Sequence, residues 1–471
     1  MNPGDFRAHA HELVDWMADY LEQVERLPVK PDVQPGTVLK QLPLAPPDDG
    51  EPFSAVFRDF REIILPGMTH WQHPSFFAYF PANSSPPSIL AEMLTATLGA
   101  QCMSWATSPA ATELEERVME WLRTMIGLPS TFTGVIQDTA STATLCALLT
   151  ARERRSAFRI NERGFAAEMR FTVYCSAEAH SSIEKAAKIA GFGREYLRKI
   201  RVDDDFALIP SALDEAVTRD LRLGYTPLCV VAAVGTTGST GLDPLRPIAA
   251  LCRKHGIWLH VDAAYAGSAL LLPEFRWIAD GVEAADSVVF NPHKWLLTNF
   301  DCSAYFVRDV EALVRTFEIL PEYLKTPEGD RVKNYRDWGI QLGRRFRALK
   351  LWFVIRTYGV HGLQQFLRTQ IAMAQRLARR VQSTPGFQIL APVPLNVICF
   401  RYAPSGLTEP AALDALNVRL LESLNQTGLL YLSHTRLAGR FTLRLVVGQT
   451  YVQQHHVDEA WERIVATAQG L

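Results

Sequence analysis

Ser287-Val288-Val289-Phe290 followed by Asn291-Pro292-His293-Lys294-Trp295 decides the reading of this chain. The first four residues are β-branched and aromatic, which predicts a short buried strand. Pro292 cannot donate to a strand ladder, so the strand should end near Asn291. Lys294 is then held at or just beyond a strand end, between a histidine and a tryptophan. Apolar surroundings lower a lysine's pKa and free its amine as a nucleophile, which suits covalent attachment of an aldehyde cofactor. A lysine snorkelling out of a loop reads equally well from this stretch alone.

A second strand stands upstream, Trp258-Leu259-His260-Val261-Asp262, followed by Ala263-Ala264-Tyr265. Asp262 at its end reads as an ordinary helix cap. Taken with Lys294 it also reads as the carboxylate that keeps the pyridine nitrogen of pyridoxal 5'-phosphate (PLP) protonated, since the protonated ring is the electron sink. The spacing suits an acid and a lysine on neighbouring parallel strands.

The stretches HVDAAYAGSA, NPHKWLL and DCSAYFVRD resemble the aromatic-L-amino-acid decarboxylases, the group II PLP decarboxylases of fold type I. The likeness runs over nearly the whole chain. It implies an α/β fold with a mainly parallel, seven-stranded-type sheet, a homodimer with active sites at the subunit interface, and an aromatic amino acid as substrate.

Composition agrees with a globular enzyme: 471 residues, 48% hydrophobic and 21% charged. A net charge of −2 leaves no basic excess for nucleic acid. Seven cysteines without a C-x-x-C pair read as reduced core residues of a cytoplasmic protein. Neither a secretory signal nor a membrane-spanning stretch is expected, so no membrane partner is either.

Asp5 is expected to cap a first helix carrying Phe6, Ala10, Leu13, Val14, Met17, Leu21 and Val24 at helical spacing. Prolines crowd the next segment, and Phe53 to Leu65 reads as a second helix stopped by Pro66-Gly67. Residues 1–85 thus form an arm with too little apolar surface to stand alone, expected to pack on another subunit. Residues 86–383 form the large cofactor-binding domain, and 384–471 a small α+β domain. In that small domain strands are expected at Phe387–Leu390, Val397–Tyr402, Leu429–Leu432 and Phe441–Val447, and helices near Pro410–Asn425 and Val457–Ala468.

The aromatic run from Trp71 through Tyr79, Phe80 and Pro81 reads as core; the resemblance favours a flat pocket for an aromatic side chain. Thr139, Ala140 and Ser141 open a helix, where free backbone N–H groups make an anion site, and the resemblance assigns them the cofactor phosphate. Gly191-Phe192-Gly193 reads as a helix terminator rather than a dinucleotide loop.

His180 follows the strand Phe171–Cys175, with Ser181 or Ser182 capping the next helix. By resemblance it stacks on the pyridine ring, Thr237 after the strand Leu228–Val234 lies beside the cofactor, and Ala264, Asn291 and His293 complete the cofactor's surroundings. Tyr323 reads as loop surface; by resemblance it sits on a closing loop and carries a proton to the substrate. In the family, phenylalanine at that place accompanies aldehyde formation and tyrosine accompanies simple decarboxylation. Gly343 stands where, in the plant branch, glycine goes with indole substrates. Arg344 to Tyr358 is expected as a helix whose arginines form a solvated face, and His455-His456 as a surface pair rather than a metal site. Other readings are a glutamate decarboxylase, an aminotransferase, an aromatic aldehyde synthase, or a non-enzymatic binding protein on the same scaffold.

Overall fold

The structure, a computed structural model, describes residues 1–166, 168–319 and 331–471. The chain divides into two compact units. One comprises Ala82–Ala372 and Ala391–Ile398, the other Met1–Pro81, Met373–Leu390 and Cys399–Leu471.

The first unit holds a seven-stranded sheet: β1 (Thr133–Gln137), β2 (Phe171–Ser176), β3 (Leu197–Ile200), β4 (Thr226–Ala233), β5 (Trp258–Asp262), β6 (Ser287–Phe290) and β7 (Ser303–Val307). Its order is β1-β7-β6-β5-β4-β2-β3. The pairs from β3 through β6 are parallel, while β7 runs antiparallel to both β6 and β1. Two reversals restore direction, so β1 points the same way as β6. Strands β2, β4, β5 and β6 are buried along nearly their whole length, as a sheet covered on both faces requires. The helix Ala140–Arg155 packs on this sheet through Ala143, Cys146, Ala147 and Leu148, all fully buried.

The second unit holds a four-stranded sheet of order β10-β11-β9-β8, with β8 (Phe387–Ile389), β9 (Val397–Tyr402), β10 (Ser433–Leu437) and β11 (Arg440–Val446). The expected strand at Leu429–Leu432 is absent. Tyr431 makes one isolated bridge to Phe76, and the strand begins at Ser433. The apolar run marks burial under the Val29–Phe76–Ala78 cluster rather than a ladder.

Other boundaries move for local reasons. Asn2, not Asp5, caps the first helix, Pro3–Gln23; Asp5 closes a capping box as its third residue. Phe53–Asp59 is regular helix, and the chain then widens over Phe60–Ile64 and tightens over Leu65–Gly67. The helix after β2 runs Ser182–Ile189, and neither serine hydroxyl caps it. Gly191, at φ 82°, does end it. The long helix begins at Arg347, not Arg344, and kinks at Gly359 (φ 66°) before ending at Ser383.

Arg345 and Arg356 are exposed, as a solvated face requires, but Arg344 and Arg347 are not part of one. Arg344 is buried and forks onto Glu115 at 3.1 and 2.7 Å, and Arg347 pairs with Asp301 at 2.7 Å. Likewise only His455 is exposed. His456 is buried, accepts from the Gln453 N–H and lies 3.3 Å from Glu25, so it serves as a helix cap. All seven cysteines are buried, and none is in a disulfide. No described helix is long and apolar enough to cross a membrane.

Candidate active site

Because β1, β2, β4, β5 and β6 point the same way, every segment that follows one of them emerges at one edge of the sheet. That edge is where open α/β sheets bind ligands. Thr139 follows β1, His180 follows β2, Thr237 follows β4, Asp262 ends β5, and Asn291 to Lys294 follow β6. Residues far apart in sequence thus converge by topology alone.

Asp262 pairs in register with Val289 of β6. The two strand ends are then stitched together: Ala263 N–H donates to Val289 O at 2.9 Å and Asn291 N–H to Ala264 O at 3.0 Å. The buried Asp262 carboxylate accepts from the Ala264 N–H through Oδ1, at 3.0 Å. Its other oxygen, Oδ2, takes no hydrogen bond among the described residues.

Pro292–Trp295 forms a single helical turn. Its neighbours fix it firmly. Cys302 N–H donates to His293 Nδ1 (2.9 Å), Ser303 Oγ donates to Asn291 Oδ1 (2.6 Å), and Asn83 N–H donates to His293 O (3.0 Å). Trp295 stacks on Tyr265 at 4.9 Å and donates to Gln370 at 2.5 Å. From Asn291 to Thr298 every residue is buried except Lys294, which is half-buried. The turn therefore presents one side chain, the lysine. Burial, reinforced by Lys294, pushes the His293 imidazole down to about 3, so it stays neutral beside the amine.

His180 is exposed, yet the atoms around it withdraw enough water to lower its pKa; Asp262 raises it and Lys294 lowers it further. Those mutual influences bring His180, Asp262 and Lys294 into one electrostatic neighbourhood. His180 Nδ1 accepts from the Ser182 N–H at 3.2 Å, with Ser182 Oγ 2.7 Å away, so the neutral ring carries its proton on Nε2.

Thr139 is the N-cap of the helix Ala140–Arg155 and accepts from Thr142 N–H at 3.4 Å. Ala140 and Ser141 occupy the first two helical positions, whose N–H groups have no intrahelical partner. Thr237 is half-buried, while its neighbour Thr236 is spent on the turn, accepting from the Gly241 N–H at 2.8 Å. A helix N-terminus for a phosphate, an uncommitted carboxylate oxygen for a pyridinium nitrogen, an exposed imidazole and a single presented amine together match the chemistry of PLP.

Sequence reasoning missed the supports. Arg344 and Glu115 both hold Ile136, through its carbonyl (2.7 Å) and its N–H (2.9 Å), three residues before Thr139. Gln341 Nε2 donates to Asp138 at 3.2 Å, so the segment carrying Gly343 is laced to the strand that leads into the helix N-terminus. Gly343 itself is exposed, and a Cβ there would lie 3.2 Å from Gln101 Nε2.

Beneath Asp262, on the same face of β5, a buried polar column joins Trp258 Nε1 to Ser287 Oγ (2.9 Å), Ser287 Oγ to His260 Nδ1 (2.9 Å), and His260 Nε2 to Thr144 Oγ1 (3.3 Å). Burial pushes His260 down to about 4. The unfolded chain takes up that proton near 6.5, so this group's stabilisation is complete above about pH 6.5 and is lost as pH falls towards 4. We expect His260→Asn to remove about 2 kcal/mol of the stability lost between about pH 7 and about pH 5, read by urea unfolding at both values. Equal acid sensitivity in variant and parent would count against a neutral, buried His260.

Trp71, Tyr79, Phe80 and Pro81 lie in the other unit. Trp71 and Tyr79 are exposed and stack at 6.0 Å, whereas Phe80 and Pro81 are buried, with Arg444 over the Phe80 ring at 4.5 Å. Tyr79 OH lies 3.4 Å from Tyr431 OH. Tyr323 lies outside the described residues.

Comparison with known proteins agrees with the geometry. Residues 35–403 match the pyridoxal-dependent decarboxylase conserved domain. A phenylacetaldehyde synthase of Arabidopsis thaliana is 44% identical, over 100% of this chain and 97% of its own. An aromatic-L-amino-acid decarboxylase of Sus scrofa is 44% identical over 100% and 98%. The crystal structure of Oryza sativa TDC with PLP and tryptamine superposes with a TM-score of 0.96 at 39% identity, covering 100% of this chain and 99% of that one. The chain belongs to the pyridoxal-dependent decarboxylase family, group II, with the type I fold and PLP as its cofactor.

Proposed function

We propose that the protein decarboxylates an aromatic L-amino acid to the corresponding aryl amine and CO2. The observation that carries this is the single amine of Lys294, presented from a buried turn beside Asp262 and His180. Bound PLP supplies a sink for the electron pair that the departing carboxylate leaves behind. Lys294 would hold the cofactor through its aldehyde. Asp262 keeps a proton on the pyridine nitrogen, and His180 packs against the ring. Thr139, Ala140 and Ser141 bind the phosphate through hydroxyl and backbone N–H groups, with Thr237, Ala264, Asn291 and His293 shaping the remaining wall.

Trp71, Tyr79, Phe80, Pro81 and Gly343 are the residues we assign to the substrate side chain. The stacked Trp71–Tyr79 pair offers a flat apolar surface, and the absence of a side chain at Gly343 leaves room for an indole.

Tyr323 is assigned the proton delivered to substrate Cα. The similarity to a phenylacetaldehyde synthase makes aldehyde formation the competing reading, and the phenol decides between them. A hydroxyl that protonates Cα promptly removes the electrons that oxygen would otherwise take. Tyr323→Phe is expected to keep releasing CO2 while diverting product to aldehyde, ammonia and hydrogen peroxide, followed with an oxygen electrode. Amine formed by the variant at the parent rate, without oxygen uptake, would remove this role.

We further propose a homodimer. The helix Pro3–Gln23 buries none of its residues, with Phe6 and Val14 exposed. The helix Pro86–Leu98 exposes Leu90, Leu94 and Leu98 at helical spacing, a stripe that association would cover. Light scattering should give the mass of two 52.7 kDa chains; a monomer at micromolar concentration would contradict it.

A further inference from the structure

A cavity of about 450 Å³ opens where β5 begins, at the end of the sheet opposite Asp262. Four arginines line it from three separate places: Arg154 and Arg155 on the helix Ala140–Arg155, Arg253 on the helix Leu245–His255, and Arg308 just beyond β7. One carboxylate, Asp286, lines it, so four positive charges face one negative. Asp286 is already engaged, accepting from the Leu259 N–H at 2.8 Å and lying 3.7 Å from Arg154. Arg154 has a further partner in Asp309 at 3.4 Å. Among the described residues Arg155, Arg253 and Arg308 make no ion pair.

A surplus of three positive charges in a chain of net charge −2 is a local concentration, and a concave protein wall focuses its field. All four arginines are exposed, and they stand together around one concavity whose volume lies in the range of small-molecule pockets. Guanidinium forks match phosphate oxygens two at a time. The aromatic surface is already taken, since Arg154 covers the Trp258 ring at 5.7 Å and Trp258 is buried. The lining therefore favours a compact polyanion over a nucleotide base or an aromatic acid.

We propose that this cavity binds a small phosphate polyanion of the pyrophosphate or organic-phosphate class. It is separate from the cofactor phosphate site. Four residue steps along β5 separate Trp258 from Asp262, roughly 13 Å at strand rise.

The test is calorimetric titration of inorganic pyrophosphate into the holoenzyme, saturated with PLP so that the cofactor's own phosphate site is filled. One saturable site per chain is expected, weakening steeply as salt is raised. Arg155→Ala combined with Arg308→Ala should weaken binding at least roughly tenfold, about 1.4 kcal/mol, while CO2 release is unchanged. Arg253→Glu should abolish it. No saturable heat with the parent protein, or equal affinity in the double variant, would overturn the proposal. Retained CO2 release shows that each variant is folded.

Discussion

Lys294→Ala is expected to fold and to lose turnover by roughly a thousandfold or more, about 4 kcal/mol of barrier. The reasoning begins with the turn that carries it. His293, Trp295 and Asn291 each have a buried partner of their own, so the turn's shape does not depend on the lysine. Removing a half-buried side chain from so well-braced a turn leaves the scaffold standing. What disappears is the amine that would hold the cofactor aldehyde. Borohydride treatment followed by peptide mapping should find the cofactor attached at position 294 in the parent and nowhere in the variant. Unimpaired turnover by the alanine protein would refute the assignment.

Asp262→Asn should retain measurable cofactor binding yet lose roughly a hundredfold or more in kcat, about 2.7 kcal/mol. Oδ1 accepts from the Ala264 N–H, and the amide oxygen of asparagine can take over that bond, so the join between β5 and β6 survives. The negative charge does not survive. A neutral amide cannot keep a proton on the pyridine nitrogen, and an unprotonated ring withdraws electrons poorly. The expected signature is a large fall in kcat with a smaller change in cofactor affinity. An unchanged kcat would separate Asp262 from the chemical step.

Much of this arrangement was legible because its carriers are contiguous. Trp258–Asp262 and Ser287–Phe290 are short uninterrupted apolar runs, each closed by a residue that stops a strand, and both appear with those bounds. Their adjacency follows from the alternation of strand and helix. β3 was harder to read, since Leu197-Arg198-Lys199-Ile200 at the sheet edge carries two charges in four residues. Leu429–Leu432 misled in the other direction: an apolar run under a cluster looks like a strand from inside a short window.

Arg344 reads as solvated from the sequence because its partner Glu115 stands 229 residues away, and no periodicity within one helix records an ion pair across the fold. From the sequence, His260 reads only as part of a strand. That its ring is held between Ser287 and Thr144 depends on β6 and on a helix over a hundred residues upstream. Side-chain roles fixed by neighbours in space stayed hidden, while those fixed by position at a strand end did not.

The most direct measurement is a product balance on the purified holoenzyme, with tryptophan, phenylalanine, tyrosine, dihydroxyphenylalanine and glutamate supplied separately. CO2, amine, aldehyde and oxygen are followed together. The account predicts one amine for each CO2 from at least one aromatic substrate, tryptophan among those accepted, with no oxygen consumed and glutamate untouched. CO2 from glutamate alone, or aldehyde and peroxide in place of amine, would contradict it.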